Sequence, residues 1–349
     1  MIQLLRALLL ALLFAAWPAR AAEDPPDEGG DEAATEAADE AEDAPAKTGP
    51  EQVTVGVYVN DILQIDLVEN AYQLDFYLWF RWKDGEMDPA TSMEILNPFE
   101  QWGLMVTPNY EEPQEQEDGS FYQALRIQGK FSKKLPLYNY PFDRQTLVVT
   151  FEDSVSEAKD LQYVPDAAGA AMNPELILPG FIVSAPELVI GPHHYTTTFG
   201  DADVHEASTY SSARIEIPIR RPALAYGIKL LLPVICVVLC AALMMILAPR
   251  YVDSRVGIGI TTLLTVVALQ MSYNDTLPDV GYLMLMDKVY LCAYAFVIAG
   301  LSVVMLATRL HDGGEPERAA RLHQRALLGL LALWSLVMVV LVSAGYNAG

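Results

Sequence analysis

Four long apolar runs occupy the second half of the chain, and they constrain its fold more than any other feature. They cover residues 230–248, 256–274, 289–308 and 326–349. An uncharged run of about 18 or more residues is long enough to cross a bilayer as a helix. The sequence therefore predicts an all-α, four-helix transmembrane domain over residues 222–349. We expect its spans at about 224–248, 255–274, 287–308 and 322–346.

The first 50 residues carry two patterns that differ from those of a folded domain. Residues 1–21 combine Arg6, an apolar core from Leu8 to Trp17 and a small-residue cleavage site, which predicts a secretory signal peptide. The alternative is a fifth transmembrane helix, but the apolar run is short. Residues 22–50 are rich in Ala, Asp, Glu, Pro and Gly and have no aromatic residue, which predicts a disordered acidic leader. This leader contributes to the formal net charge of -23.

Residues 51–221 alternate apolar and polar side chains in many short segments. Val53 to Val59 and Gln73 to Trp82 show this alternation, and turn signals such as Lys83-Asp84-Gly85 separate the segments. The pattern predicts an all-β, immunoglobulin-like sandwich of two sheets. The three cysteines lie in the apolar runs, so we expect this domain to depend on core burial without a disulfide. These cysteines are Cys236, Cys240 and Cys292.

The charges of the connecting segments predict the orientation of the spans. The connections between spans one and two and between spans three and four contain arginines, whereas the connection between spans two and three is acidic. Because short cytoplasmic loops are enriched in Lys and Arg, this pattern predicts a β-domain that faces outward. Arg220 and Arg221 lie on the outer side, against the trend.

The second apolar run carries a polar stripe that the others lack. Spacings of three and four residues put its members on one helix face, and Asp253 extends this face with a carboxylate. Several copies of the face around an axis would form a pore with acidic mouths and an apolar constriction at Leu264. The alternative is a helix whose small residues pack tightly in a bundle. The predicted pore-lining residues are Gly257, Thr261, Leu264, Ala268, Met271 and Asp275.

Four segments, in this order and spacing, resemble the pentameric ligand-gated ion channels, also called the Cys-loop receptor superfamily. Lys133 and Leu147 stand where the two loop cysteines would be, so the resemblance is to the bacterial branch that lacks them. The segments are Trp82-Lys83-Asp84, then Tyr140-Pro141-Phe142-Asp143, then Arg221-Pro222 with Pro233, and finally Arg255 to Thr265 with Leu277-Pro278.

The resemblance implies a homopentamer in a lipid bilayer, with a ligand-binding sandwich and a pore lined by the second helix. It implies the bacterial inner membrane as the location, with the β-domain in the periplasm. We expect permeant monovalent cations, a small-molecule or ionic ligand of unspecified identity, and no cofactor or nucleic-acid partner. Modulation by divalent cations stays open. No enzymatic motif occurs, and the alternative is a non-conducting membrane-anchored ligand sensor on the same fold.

The sign of the permeant ion rests on conflicting signals. The segment from Arg255 to Thr265 most resembles the anion-selective branch, which has a Pro-Ala-Arg turn below the pore helix. Here the turn is Asp253-Ser254-Arg255, so a carboxylate replaces the proline. A ring of Asp253 at the inner mouth should favour cations, and cation selectivity is the prediction. The alternatives are an anion-selective channel, or poor selectivity because Arg255 neutralises Asp253.

The resemblance also predicts a coupling surface between the two domains. We expect Arg221 to form a partly buried ionic cluster with Asp66 and Asp143, since this would explain an arginine on the outer side. The alternative is a set of surface pairs that contribute little. The predicted gating and coupling residues are Asp66, Glu69, Phe142, Asp143, Arg221 and Pro278.

Aromatic and arginine side chains on the strands are the candidate ligand site. Such groups can hold a cation by cation–π contact or an anion by ion pairing. Glu152-Asp153-Ser154 stands where amine-binding members carry a tryptophan, which argues against a standard amine cage. His193 and His194 are adjacent on a strand and should point to opposite faces, which disfavours a shared metal site. The predicted ligand-binding residues are Tyr77, Trp79, Arg81, Tyr122, Arg126 and Tyr210.

Overall fold

The computed structural model describes residues 49–198, 208–248 and 250–348. The predicted signal peptide and nearly all of the acidic leader lie outside these ranges. Two folded regions follow one another along the described chain, a two-sheet β-sandwich and a group of four long helices, so the predicted fold class is confirmed. The strands are β1 (Glu51–Asp66), β2 (Ala71–Trp82), β3 (Met93–Ile95), β4 (Met105–Pro108), β5 (Gln114–Glu115), β6 (Phe121–Ser132), β7 (Arg144–Asp153), β8 (Leu161–Met172), β9 (Ile182–Val183), β10 (Glu187–His194) and β11 (Thr209–Arg220).

The strands form two sheets whose inner faces make the core of the sandwich. The first sheet has the order β4-β6-β2-β1-β8, with β5 beside β6, and the second has the order β10-β11-β7-β3, with β9 beside β11. Alternate residues of each strand point inward; Val53, Val55 and Val57 of β1 are fully buried. Each such side chain contributes about 1.5–3 kcal/mol through burial. Trp82 closes one part of the core, and its indole Nε1 donates to the carbonyl oxygen of Met87 at 2.9 Å.

Four helices follow, each long and apolar enough to cross a membrane. Helix α2 (Val252–Asn274) begins three residues before the predicted span, which brings Asp253 into its first turn. Helix α4 (Pro316–Ala348) begins six residues early, and α3 (Leu285–Asp312) extends four residues past its expected end. At about 1.5 Å per residue, all four exceed the roughly 30 Å of a hydrocarbon core. The helices are α1 (Ala223–Ile246), α2 (Val252–Asn274), α3 (Leu285–Asp312) and α4 (Pro316–Ala348).

Helix α3 is the central element of the helical region and α4 is peripheral. Val289, Ala293 and Val297 recur along one face of α3 at four-residue spacing and are fully buried. By contrast, only three residues of α4 are classed as buried among those described. A helix with so little buried surface and so many exposed leucines and valines suits a lipid-facing position. The helical region is therefore arranged as a membrane domain.

Candidate functional site

The two faces of α2 differ in their surroundings. Every member of the predicted pore-lining set is exposed within the single chain, and so is Asp253. Leu264, halfway along this face, is 64% exposed. The opposite face packs against the neighbouring helices of the same subunit, with Arg255, Gly259, Thr262, Val266 and Tyr273 buried. The polar stripe is therefore not part of the packed interior of the subunit.

Two glycines on α2 show why one face packs and the other does not. A Cβ atom added at Gly259 would lie 2.3 Å from Cδ2 of Leu301 on α3, so the small residue permits close helix packing there. A Cβ atom added at Gly257 would meet no heavy atom within 4 Å. The packing interpretation of the small residues thus applies to Gly259 and leaves Gly257 without a packing role inside the subunit.

Arg255 points away from the exposed face and is fully buried. Its Nε donates to the carbonyl oxygen of Met244 on α1 at 2.8 Å, and its Nη2 lies 3.0 Å from Nδ1 of His323 on α4. No contact joins it to Asp253, two residues before it, which lies exposed in the first turn of α2. A carboxylate in that turn is also favoured by the helix dipole. The arrangement therefore leaves the Asp253 charge free of its neighbour.

A buried ion pair lies where the β-sandwich meets the helices. Nε of Arg221 donates to Oδ1 of Asp143 at 3.1 Å, and the two side chains are 4% and 3% exposed. The guanidinium carbon of Arg221 also lies over the rings of Tyr140, Phe181 and Tyr226, at 4.8, 4.3 and 5.3 Å from their centroids. Aromatic faces attract a cation electrostatically. This site therefore provides a reason for Arg221 on the outer side.

Asp66 and Glu69 do not belong to this ion pair, contrary to the expectation for Asp66. Oδ1 of Asp66 accepts the backbone N–H of Glu69 at 3.0 Å, which closes the β1–β2 turn locally. The Glu69 carboxylate pairs with Lys130 of β6. A short acidic side chain readily bonds to its own turn, and that local bond replaces the long-range contact. The tip of this hairpin instead supplies Leu67, which packs against the apolar cluster beneath it.

Two tyrosines that the sequence interpretation missed form a further contact between the two domains. The Tyr138 and Tyr282 rings stack with their centroids 3.8 Å apart. The N–H of Leu137 donates to the Tyr282 hydroxyl at 2.9 Å, and the N–H of Leu285 donates to the carbonyl oxygen of Tyr138 at 2.9 Å. These bonds tie the loop before β7 to the start of α3. Because Tyr138 and Tyr282 are part of no helical or alternating pattern, the sequence gave no indication of this contact.

The other predicted coupling residues flank this contact. The ring of Phe142 lies 6.3 Å from that of Tyr346, near the end of α4. Pro278 is half-buried in the α2–α3 connection, next to Leu277, which is buried in the cluster that contains Leu137. The loop before β7 therefore touches both the α2–α3 connection and the end of α4.

Five of the six predicted ligand residues share one face of the first sheet. Tyr77 is the cross-strand partner of Arg126, and Arg81 is that of Tyr122. Arg126 donates to both oxygens of Asp75, with Nη2 at 2.8 Å, and these bonds lower the pKa of Asp75 below its ordinary value. Trp79, between the two pairs, donates from Nε1 to Oδ2 of Asp166 at 2.7 Å. Both Arg126 and Trp79 thus have acidic partners within the chain.

The sixth, Tyr210, lies on the second sheet, in a cluster whose other members the sequence interpretation did not assign. Glu152, 4% exposed, lies at the centre. Its Oε1 accepts the hydroxyl of Tyr195 at 2.5 Å, and its Oε2 lies 2.6 Å from Nδ1 of His193. The Tyr195 ring lies 5.7 Å from that of Tyr210. Burial and then the bond to Glu152 raise the pKa of Tyr195 well above its ordinary value.

This Glu152 cluster gathers three segments that are far apart in the chain. Glu152 is near the end of β7, His193 and Tyr195 are at the end of β10, and Tyr210 is in β11. His194 turns away from the cluster, with its Nδ1 2.8 Å from the Thr209 hydroxyl. The glutamate that replaces the expected tryptophan therefore becomes the acidic centre of a site lined by aromatic rings.

Comparison with known proteins identifies relatives among receptors and ion channels. No protein-family model matches the chain. It is 25% identical over 297 residues to the neuronal acetylcholine receptor subunit alpha-10 of Homo sapiens, which covers 79% of this chain and 63% of that protein. It is 19% identical over 311 residues to a proton-gated ion channel of Gloeobacter violaceus (85% and 84%) and 24% identical over 284 residues to the 5-hydroxytryptamine receptor 3A of Rattus norvegicus (75% and 57%).

These matches extend through the sandwich and the helices alike. The chain spans less than two thirds of the length of the human and rat receptors, and most of the length of the bacterial channel. The relatives are receptors or ion channels, so this chain is not an enzyme, and its four apolar helices make it a multi-pass membrane protein. In sequence and in its sandwich-plus-four-helix fold, the chain is similar to members of the superfamily of pentameric ligand-gated ion channels, the Cys-loop receptors.

Proposed function

We propose that the chain forms a homopentameric, ligand-gated, cation-selective channel in which α2 of each subunit lines the pore. The observation that carries this proposal is the exposed face of α2, where a carboxylate, a glycine and a hydroxyl stand outside the packed interior of the subunit. Polar groups at membrane depth are costly against lipid and favour a water-filled cavity. Copies of the chain arranged as a closed ring would enclose such a cavity.

The charge pattern along this face supports cation selectivity. Asp253 and Asp275 lie at opposite ends of the exposed face, and five copies of each would make an acidic ring at both mouths. Rings of carboxylates favour cations electrostatically. Arg255, the feature that resembles the anion-selective branch, is buried against α1 and α4 and faces away from this surface. The expected permeant ions are monovalent cations.

The gate is proposed at Leu264. This residue lies eleven positions from Asp253 and eleven from Asp275, or about 16 Å from each along the helix axis. Its side chain is 64% exposed in the subunit, so it is available to face its copies. A ring of leucines at that depth can close a pore by excluding water.

Ligand binding would reach this gate through the contact between the domains. A ligand shifts a pore only by binding its open and closed states differently. The loop that carries Tyr138, Tyr140 and Asp143 contacts the α2–α3 connection through Tyr138. Through Asp143 it also holds Arg221, which lies two residues before α1. A shift of this loop would therefore displace both the start of α1 and the connection that follows α2.

The proposed ligand is a cation that binds between subunits at the Glu152 cluster. A buried carboxylate bordered by Tyr195 and Tyr210 suits a positive group, by ion pairing and by cation–π contact. The names of the relatives specify acetylcholine, protons and 5-hydroxytryptamine, each a positively charged agent. The half-buried aromatic face around Tyr77 and Tyr122 is the surface that a neighbouring subunit would contribute.

The proposed location is the inner membrane of a bacterium, with the sandwich in the periplasm. Arg250 lies between α1 and α2, and Arg309, Arg318 and Arg321 lie near the facing ends of α3 and α4. These arginines support this orientation by the positive-inside rule. The alternative function is a non-conducting sensor on the same fold. The exposed carboxylate and hydroxyl stripe of α2 argues against it, because packing alone does not require either group.

The experiment that tests the proposal is a reversal potential in planar bilayers under a salt gradient. Purified full-length protein is examined while pH, small primary and quaternary amines, and calcium are varied in turn. We expect ligand-dependent current that reverses close to the cation equilibrium potential. Reversal near the chloride potential would contradict the selectivity, and binding of an agonist without current in any condition would favour the sensor.

A further inference from the structure

Arg220 is the arginine on the outer side that the coupling contact leaves unexplained. Arg221, its neighbour, is buried with Asp143, whereas Arg220 is exposed. Among the described residues, the side chains of Arg220 and Arg144 form no ion pair and no hydrogen bond. Lys and Arg are less common in the short loops on the outer side of transmembrane helices than in those on the cytoplasmic side. Two unpaired guanidinium groups at this level therefore call for a separate explanation.

The two arginines line the same open pocket. It has a volume of about 480 Å³ and lies between the ends of β7 and β11 and the residue that follows β9. Thr146 of β7 and Ser184 after β9 contribute hydroxyl groups to its wall, and Pro218 of β11 contributes apolar surface. Guanidinium groups and hydroxyls supply hydrogen-bond donors, so the lining is suited to an acceptor-rich anion.

The pairing of the strands sets the two positive charges side by side. Arg144 and Arg220 are direct cross-strand partners, so their side chains leave the sheet on the same face. Like charges directly opposite each other destabilise a sheet. A third cation is adjacent, since Nζ of Lys133 donates to the carbonyl oxygen of Thr146 at 2.8 Å. An anion between the arginines would convert this repulsion into attraction.

The carboxylate closest along this face of β11 is already paired. Glu216 lies four residues before Arg220, and its Oε1 is 3.6 Å from Nε of Arg214. Asp143, next to Arg144 in sequence, points into the interior and is held by Arg221 and Gln145. The pocket thus keeps its positive charge within the described part of the subunit.

The pocket lies close to the start of α1, the end of the helix that the proposed orientation places at the outer bilayer surface. Arg220 is three residues before Ala223, where α1 begins, a distance of at most about 10 Å along the chain. Arg144 follows Phe142, whose ring contacts Tyr346 near the end of α4. A helix of 24 residues is longer than the hydrocarbon core, so its first turn reaches the headgroup region. Both guanidinium groups are therefore within reach of lipid phosphates.

We propose that the Arg144–Arg220 pocket binds a phosphate group, presented by the headgroup of an anionic phospholipid. Arginine binds phosphate oxygens in a bidentate manner, and two facing arginines can hold one phosphate between them. Inorganic phosphate offers the same oxygens but lacks the acyl chains that would anchor it at this level. The site would thus link lipid composition to the end of β11, directly before α1.

The test measures binding of phosphatidylglycerol to the purified full-length assembly by native mass spectrometry, with thermal unfolding in parallel. The variants are Arg144→Gln, Arg220→Gln and the double substitution, each compared in phosphatidylglycerol and in phosphatidylcholine. We expect apparent affinity for phosphatidylglycerol to fall about fivefold with each single change and more than tenfold with both. The thermal stabilisation by phosphatidylglycerol should fall in parallel. Lysine at both positions should give an intermediate loss, since it keeps the charge without the planar fork.

Arg214→Gln is the matched control, because Arg214 is an exposed arginine on the same face of β11 that already has a carboxylate partner. It should leave phosphatidylglycerol binding unchanged. Stabilisation by inorganic phosphate alone that the double variant abolishes would support the pocket and identify a soluble source. Undiminished phosphatidylglycerol binding in the double variant would overturn the proposal. Equal destabilisation of that variant in both lipids, with unchanged lipid binding, would instead assign the arginines to subunit packing.

Discussion

At the scale of single residues, the molecule separates its charges by burial. Arg221 and Arg255 are both buried, the first against a carboxylate and three aromatic rings, the second against a carbonyl oxygen and a histidine. Asp253 stays exposed on the opposite side of α2 from Arg255. Burial keeps each arginine in one place, so the surface proposed to meet the permeating ions carries carboxylates. The charge pattern of the pore is thereby set by which side chains pack inside the subunit.

Removal of one partner of the Arg221–Asp143 pair should be costly. In Asp143→Asn the buried guanidinium loses its counter-charge, and such changes typically destabilise by about 3–5 kcal/mol. Glu216→Gln removes the partly exposed partner of Arg214 and should cost less than about 1 kcal/mol. Thermal unfolding of the purified assembly measures both. Equal melting temperatures for the two variants would mean that the buried pair contributes no more than a surface pair.

Neutralisation of Asp253 should weaken cation selectivity without loss of the folded protein. Each charge of a ring near the pore axis contributes about 1 kcal/mol or less through water, so five together should change the cation-to-anion permeability ratio about tenfold or more. Asp253→Asn should therefore shift the reversal potential toward zero. Asp312→Asn, at the end of α3, neutralises a carboxylate off this face and serves as the control. An unchanged reversal potential in Asp253→Asn would assign selectivity to another ring.

At the scale of elements, α2 is a helix whose two faces have different partners. Its exposed face was predictable because helical periodicity fixes which residues align. The Glu152 cluster was not, because the pairing of β7 with β11, and of β11 with β10, brings together residues that no local spacing relates. The ionic contact expected between Asp66 and Arg221 is absent from the buried pair, because family resemblance gives the position of a loop but not the hydrogen bond that its side chain prefers. Local periodicity was thus sufficient to predict the exposed face of α2. It was insufficient to predict contacts between residues that the sheet topology brings together.

Neighbouring leucines on α2 should respond differently to truncation. Leu264→Ala shortens the exposed side chain and should raise leak current or lower the agonist concentration for half-maximal opening, with little effect on subunit stability. Leu263 is partly buried against the main helical cluster, so Leu263→Ala should cost about 1–2 kcal/mol, below the range for full burial. Bilayer recording and thermal unfolding give the two measurements. A Leu264→Ala variant that loses stability and has no added current would indicate a packing role and a different gate.

At the scale of the whole molecule, the exposed surfaces of one chain fit the proposed assembly of several copies. The stripe on α2 is exposed on a single subunit, and the rings that border the Glu152 cluster and the aromatic face of the first sheet are partly exposed. A closed ring of identical subunits covers complementary surfaces in head-to-tail fashion and leaves one shared axis. The same symmetry would enclose the α2 stripes and bring the two ligand surfaces together. Function would therefore be a property of the assembly, with each subunit supplying half of every interface.

The stoichiometry of that assembly can be measured with the proposed selectivity residue. Wild-type and Asp253→Asn subunits, carrying different affinity tags, are co-expressed and purified as mixed assemblies for single-channel recording. If each subunit contributes one carboxylate to one ring, the reversal potentials should divide into discrete groups that follow the number of substituted subunits. A ring of n subunits gives n+1 such groups when their arrangement around the ring does not matter, so a pentamer should give one group more than five. Mixing with Asp312→Asn subunits should yield a single group, because that residue lies off the proposed pore face. A single group with Asp253→Asn as well would contradict a shared ring of Asp253, and a different number of groups would contradict the pentamer.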